Sequence, residues 1–494
     1  MTSTPAESSF LATRRGRLTL LLLASIGFMD FVDASIVNIA LPHIRDDLDF
    51  SVQNLQWVLS AYLLTYGGLM LLGGRAGDLI GRRRVLVTGT VIFGLASLAG
   101  GLAGSAAVLV GARLVQGAGA ALMMPTALSL LTTSFSTGSD RTKALGVWGG
   151  VGGLASAAGV FLGGVLTQGP GWRWVLYVNP PISAILLVGI YALIPGETQR
   201  APSRDLDLPG SVLVTGGMAL LVHGLIEAPG RGWGTSWTVA ELAGAAALLS
   251  AFVLVELRTD RPLIPLNVFR IRGLAAANLA QLIGVGGFVT MFFFLTLYMQ
   301  NVLGYSAIET GASYLPLTVG VGISAGLGTA LINRIGTRPV ITGGALITAT
   351  GLFLLSRIPV DGRYLTDLLP GLMVVSLGIG GVFVGATTAA NAGVPPRLAG
   401  LAAALVNSAQ QVGGALGLAV FSAVATARTN DLLAGHAPAS YAATAGFQRA
   451  LAAAAVFLLA AAVVAVRTTN NRGEQGAAET PENHPARRAV TSAH

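Results

Sequence analysis

Long apolar blocks separated by short basic connections dominate the chain. Fourteen of them lie near 18–42, 54–73, 84–104, 106–132, 142–166, 173–195, 209–227, 238–257, 273–300, 309–332, 339–357, 366–390, 397–427 and 444–466. Most run about 20 residues or more, the length a helix needs to cross the hydrocarbon of a bilayer. Barrel strands would instead show as short alternating segments, and these do not dominate. The pattern predicts an all-α polytopic membrane protein. The first block is too long, and too polar in its middle, for a cleaved signal peptide, so it is expected to remain as a span.

The connections set the orientation. Arg14, Arg15 and Arg17 precede the first block, and Arg82, Arg83 and Arg84 follow the second. Further basic residues follow the fourth (Arg141, Lys143), sixth (Arg200, Arg204), eighth (Arg258, Arg261, Arg270, Arg272) and tenth (Arg334, Arg338). The alternate connections are poorer in positive charge: Arg45 sits beside Asp46, Asp47 and Asp49. Basic loops stay on the cytoplasmic side, so both termini are expected there, which requires an even number of spans.

An internal repeat divides the chain. GGRAGDLIGRRR at 73–84 is echoed by GTALINRIGTRP at 328–339, an offset of 255 residues. It separates a six-helix bundle at 18–195 from another at 273–467, with linkers and two inserted helices in 196–272. Parallel six-helix halves resemble the layout of the major facilitator fold. The tails, 1–17 and 468–494, are polar and are expected to be cytoplasmic and disordered.

Composition narrows the functional classes. Hydrophobic residues make up 53% of the 494, and charged residues only 11%, against roughly 25% in soluble domains. The net charge of +8 is accounted for by the basic loops, so no nucleic-acid partner is expected. With no cysteine and five scattered histidines, no metal site or thiolate chemistry is expected. No G-xxxx-G-K-[ST] loop occurs, which argues against ATP-driven transport. A membrane enzyme or sensor would need a soluble catalytic segment or clustered histidines and acids; neither is present.

Polar residues inside the apolar blocks are the candidates for chemistry, because an ionisable side chain at mid-membrane is costly. FMDFVDASIVNIALPHI at 28–44 places Asp30 and Asp33 three residues apart on one helix face. Low dielectric favours the neutral acid, as proton coupling requires. In GARLVQGAGAALMMP the basic Arg113 shares a face with Gln116 and Gly117; it needs a counter-charge or backbone carbonyls, unless it snorkels to the interface. Asp30, Asn38, Gln116, Asn407 and Gln411 are candidates for lining a substrate cavity. In the fifth block Gly149 and Gly153, then Gly159 and Gly163 with Gly164, make a smooth face for a partner helix.

Several strings resemble the major facilitator superfamily, and specifically its fourteen-helix drug:proton antiporters. GGRAGDLIGRRR is similar to the family's loop between helices two and three. That resemblance implies a cytoplasmic gate comprising Gly74, Asp78, Gly81, Arg82 and Arg83. D-x-S-I-V-N-I-A-L-P from Asp33 resembles the first helix of the subfamily and implies that Asp33 is the functional acid. R-xx-Q-G-x-G from Arg113 resembles the fourth-helix motif and implies a part in proton transfer. The glycine-rich fifth block is similar to the antiporter motif, except that Val160 stands where proline is usual; GWRWVLYVNPPI at 171–182 and YMQNVLGYSAIETGASYLP at 298–316 also match. The resemblance implies a proton-coupled exporter of small hydrophobic drugs or antibiotics in a bacterial plasma membrane. It would work by alternating access as a monomer, without a cofactor or catalytic residues. An exporter of an endogenous lipid, peptide or secondary metabolite is the alternative.

Overall fold

The structure, a computed structural model, describes residues 10–135, 138–196, 207–259, 262–395 and 398–472. Arg200, Arg204, Arg261 and most of the two tails lie outside the described residues. Among the described residues, fourteen helices are long and apolar enough to cross a membrane. The first six are α1 (Arg14–Asp47), α2 (Val52–Ile80), α3 (Arg82–Gly101), α4 (Ala106–Ser134), α5 (Lys143–Gln168) and α6 (Trp174–Leu193). The inserted pair is α7 (Leu208–Arg231) and α8 (Ser236–Arg258). The last six are α9 (Leu274–Val302), α10 (Ala307–Ile335), α11 (Thr337–Leu355), α12 (Tyr364–Asn391), α13 (Gly400–Ala434) and α14 (Ala439–Ala465). Each covers one of the apolar blocks, and no strand occurs among the described residues.

Side-chain caps set several starts. Thr13 accepts from Gly16 N at 2.9 Å to open α1, and Ser306 forms a reciprocal capping box with Glu309 at α10. The repeat is visible as backbone geometry: α2 ends at Gly81 (φ 111°) and α10 at Gly336 (φ 91°), and in each case the next helix begins at the following residue. Residues with a Cβ rarely adopt these angles. Gly81→Ala is therefore expected to lower stability by about 1–3 kcal/mol, read as a reduced thermal midpoint of the purified protein.

Two expected tails are shorter than their polarity suggested. Phe10–Ala12 forms a 3-10 turn; its Phe10 ring lies 5.5 Å from Phe135, and Leu11 N donates to Asp140 Oδ2 at 3.0 Å. At the other terminus, Arg338 donates through Nε and a terminal nitrogen to Thr468 O at 3.1 and 2.9 Å, and Thr337 N donates to Asn471 O at 2.9 Å. The Gly336 turn leaves donors that residues 468–471 satisfy, so this stretch is ordered where disorder was expected.

Within the first half, α4 packs on α2 and α3, and α1 on α5; in the second, α12 packs on α10 and α11, and α9 on α13. The halves meet along α2–α13, α5–α10 and α1–α9. The inserted α7 pairs with α8 and covers the α2–α13 seam, where Leu64, Val222, Ile226, Ala415 and Ala419 form a shared apolar cluster.

The α5–α10 seam is shut at one end and open at the other. Away from the arginine-bearing turns, a Cβ on Gly164 would lie 2.7 Å from Ala307 O. Nearby, Gln300 Nε2 donates to Ile39 O at 3.0 Å. Toward the arginine-bearing end, a Cβ on Gly146, Gly149, Gly150 or Gly153 of α5, or on Gly322 or Gly326 of α10, would meet nothing within 4 Å. The expectation that Gly149 and Gly153 form a helix-packing groove is thus corrected: that face of α5 meets no neighbour, while Trp148 and Gly152 at the same end lie against Gly27 and Phe31 of α1. Gly159 and Gly163 do pack, against Ser35 and the Ile36 carbonyl of α1. Lacking the proline that would kink it, α5 is one continuous helix, with Val160 buried.

Candidate functional site

Asp33 and Arg113 come from α1 and α4, eighty residues apart, and meet inside the first half. Their side chains are 0% and 1% exposed, so Arg113 does not snorkel. One terminal guanidinium nitrogen of Arg113 donates to Asp33 Oδ2 at 2.7 Å and to Gln116 Oε1 at 2.7 Å. Its Nε donates to Val58 O at 3.0 Å, and the guanidinium lies 4.4 Å from the Tyr62 ring centroid. This reach depends on Gly117, where a Cβ would collide with Tyr62 O and Thr65 of α2. The glycine lets α2 approach α4, and Thr65 Oγ1 donating to Leu114 O at 2.8 Å holds it there.

Asp33 takes two further donors: Gln116 Nε2 at 2.8 Å and Asn179 Nδ2 at 2.6 Å. Asn179 sits at the start of the long piece of α6, just ahead of Pro180 and Pro181, and also donates to Ser97 Oγ at 2.9 Å. A buried carboxylate is tolerated when it is paired and its lone pairs are filled, and Asp33 meets both conditions. Asn179 belongs to the matching string at 171–182 but was given no role from sequence; its signal was a polar residue at the head of an apolar span.

Asp30, one helical turn earlier and 2% exposed, has other partners. Tyr62 OH donates to it at 2.7 Å and Tyr66 OH at 3.2 Å. The Gln411 side chain of α13 lies against this stretch of α2, where a Cβ on Gly67 would be 2.9 Å from Gln411 Cβ, and it is within reach of the Tyr66 hydroxyl, so this cluster borders the second half. Gln116 and Gln411 thus join the site. Asn38 is buried nearby on α1 with no partner for its Oδ1. Asn407 only donates to Ala403 O within its own helix, at 3.0 Å.

At the arginine-bearing end, Asp78 pairs with Arg82 at 3.1 Å, both partly or fully exposed. Such a pair contributes about 0–1 kcal/mol. Arg82 also donates to Thr133 Oγ1 at 3.2 Å, and Arg83 to Tyr191 O at 3.3 Å. These contacts of Asp78, Arg82 and Arg83 lie within the first half, as does the packing of Gly74 against Pro125. At the opposite end Trp172 is buried: its Nε1 donates to Asp47 Oδ2 at 3.1 Å, beside Arg173 at 2.6 Å.

Residues 23–418 match the Major Facilitator Superfamily. The chain is 42% identical over 424 residues to a puromycin resistance protein, pur8, of Streptomyces alboniger, covering 84% of this chain and 83% of that one. It is 40% identical over 447 residues to the cephamycin export protein CmcT of Amycolatopsis lactamdurans, covering 89% and 92%. A solved structure of a bacterial homolog of the human lysosomal transporter Spinster, inward-facing and unoccupied, is similar in fold. Its TM-score is 0.64 at 17% identity, covering 92% of this chain and 97% of that one. With fourteen spans in two six-helix halves and an inserted pair, this chain belongs to the major facilitator superfamily, as a multi-pass membrane transporter rather than an enzyme.

Proposed function

We propose that this chain exports a small hydrophobic drug or antibiotic across a bacterial plasma membrane in exchange for protons, acting as a single chain by alternating access. The observation that carries this reading is the dry Asp33–Arg113 pair, in a protein similar to antibiotic resistance and export proteins. The basic turns at Arg82–Arg84 and Arg334–Arg338 put that end in the cytoplasm by the positive-inside rule. The open α5–α10 seam then faces inward, the state that loads substrate from the cell or its inner leaflet. The halves at 18–195 and 273–467 rock about a cavity bordered by α1, α4, α5 and their counterparts.

In the inward-open state Asp33 is ionised and held by Arg113. A proton arriving from outside neutralises Asp33, releases the guanidinium and displaces substrate; loss of that proton inside restores the pair. Each proton carries about 2.3 kcal/mol per 100 mV and about 1.4 kcal/mol per pH unit. A neutral substrate exchanged for one proton draws on both contributions. No cofactor enters the cycle. Asp33→Asn is expected to reduce drug-dependent proton movement in energised inverted vesicles at least about tenfold, the equivalent of 1.4 kcal/mol. A response equal to that of the unmodified protein would overturn the role of Asp33.

A further inference from the structure

The buried cluster holds two carboxyl groups and one cation. Asp30 is faced by Asp33 from its own helix, by Tyr62 and Tyr66 from α2, and by Arg113 from α4. From α13 it is reached only through Tyr66, by the uncharged Gln411. Arg113 is committed to Asp33, at 2.7 Å, while Asp30 has two phenol hydroxyls and no ion-pair partner among the described residues. In a medium of low dielectric, a second, uncompensated carboxylate so near the first is strongly disfavoured, and the group neutralises instead. Arg113 can balance one charge; the other acid must hold a proton.

We infer that Asp30 is a second proton-carrying site, separate from Asp33, and that its charge state is passed to the second half through Tyr66 and Gln411. The inference rests on the proton-exchange reading above. When protonated, Asp30 donates its O–H to Tyr66 Oη and accepts from Tyr62. The Tyr66 hydroxyl then donates to the Gln411 amide oxygen. When Asp30 is ionised, Tyr66 donates to the carboxylate and its oxygen accepts from the Gln411 amide nitrogen. One proton on α1 therefore sets the direction of a hydrogen bond on α13, across the seam between the halves. No bond between heavy atoms forms or breaks; the proton leaves to water or returns from it. The cluster thus has two protonatable acids, of which Arg113 lets one be ionised at a time.

Infrared difference spectroscopy of the purified protein, acid minus alkaline, tests the first part without drug or gradient. Glu256 and Asp207, two other buried carboxyls, are first replaced by glutamine and asparagine so that their bands are removed. A carbonyl stretch from protonated Asp30 is expected in this background beside that of Asp33, and adding Asp30→Asn is expected to remove the Asp30 component alone. Persistence of the full band in the Asp30→Asn protein would assign the proton elsewhere and overturn the proposal. The second part is read from the distance between spin labels on cysteines replacing Pro170 and Ala312, in a chain with no cysteine of its own. A pH-dependent distance shift is expected in the otherwise unmodified protein and expected to be lost in Gln411→Leu, which leaves the infrared band in place. An unchanged shift in Gln411→Leu would overturn the relay. Drug-dependent proton movement tests the exchange reading separately, so a failure there is distinguishable from a failure of Asp30.

Discussion

Arg113→Ala is expected to lower the stability of the purified transporter by about 3–5 kcal/mol and to abolish drug-dependent proton movement. The cost arises because alanine leaves Asp33, fully buried, without its counter-charge, and removes the donor to Val58 O that joins α4 to α2. Arg113→Lys is expected to recover little, since an ammonium cannot reproduce the guanidinium fork that serves Asp33, Gln116 and the Val58 carbonyl together. The pair Asp33→Asn with Arg113→Gln removes both charges, and its stability is expected to return to within about 1–2 kcal/mol of the original, since neutral replacement of a buried pair costs little. Proton movement stays absent in that variant. Thermal unfolding in detergent separates the two effects. A thermal midpoint for Arg113→Ala equal to that of the unmodified protein would show that the buried pair does not hold the first half together.

The fourteen spans were legible because each is a long apolar run that only a helix can satisfy inside a bilayer. The relation of the halves was legible because the repeated glycine survives at both Gly81 and Gly336, where the backbone requires it. The chemistry was legible only as a set of residues. That Asp33 and Arg113 were costly to bury could be read from the chain; that they face each other depends on how α1 lies against α4, which Gly117 decides through its closeness to Tyr62. Asp30 and Asp33 share a helix face, yet Tyr62 and Tyr66 take one and Arg113 the other, so periodicity could not separate their roles. Gly149 and Gly153 have the same spacing as Gly159 and Gly163, but only the second pair is in contact. The first pair lies at the open end of the seam and the second at the shut end, a difference the residue pattern does not carry. Thr468–Asn471 reads as polar tail, and its order comes from donors on a turn over 130 residues away.

Gly311→Val is expected to hold the transporter open to the outside and to cut export by at least about fivefold. In the structure Gly311 of α10 lies against α5 so closely that a Cβ would collide with Val160 O and come within 3.3 Å of its carbonyl carbon. Gly164 of α5 is the reciprocal contact, where a Cβ would meet Ala307 O at 2.7 Å and Ile308 Cα at 2.8 Å. These atoms are backbone, so a side chain cannot be accommodated by a rotamer change. Overpacking of this kind costs about 1–3 kcal/mol, and only the state in which the seam is shut bears that cost. A differential of that size shifts an equilibrium between two states by about 5- to 150-fold, so under the proposed alternating access turnover is expected to fall in proportion. Labels at Pro170 and Ala312 should move apart in Gly311→Val and in Gly164→Val. Gly111→Ala, on α4 with nothing within 4 Å of the added carbon, should leave both distance and export unchanged. If Gly311→Val keeps the short distance and exports at the original rate, the shut end of the α5–α10 seam is not a gate.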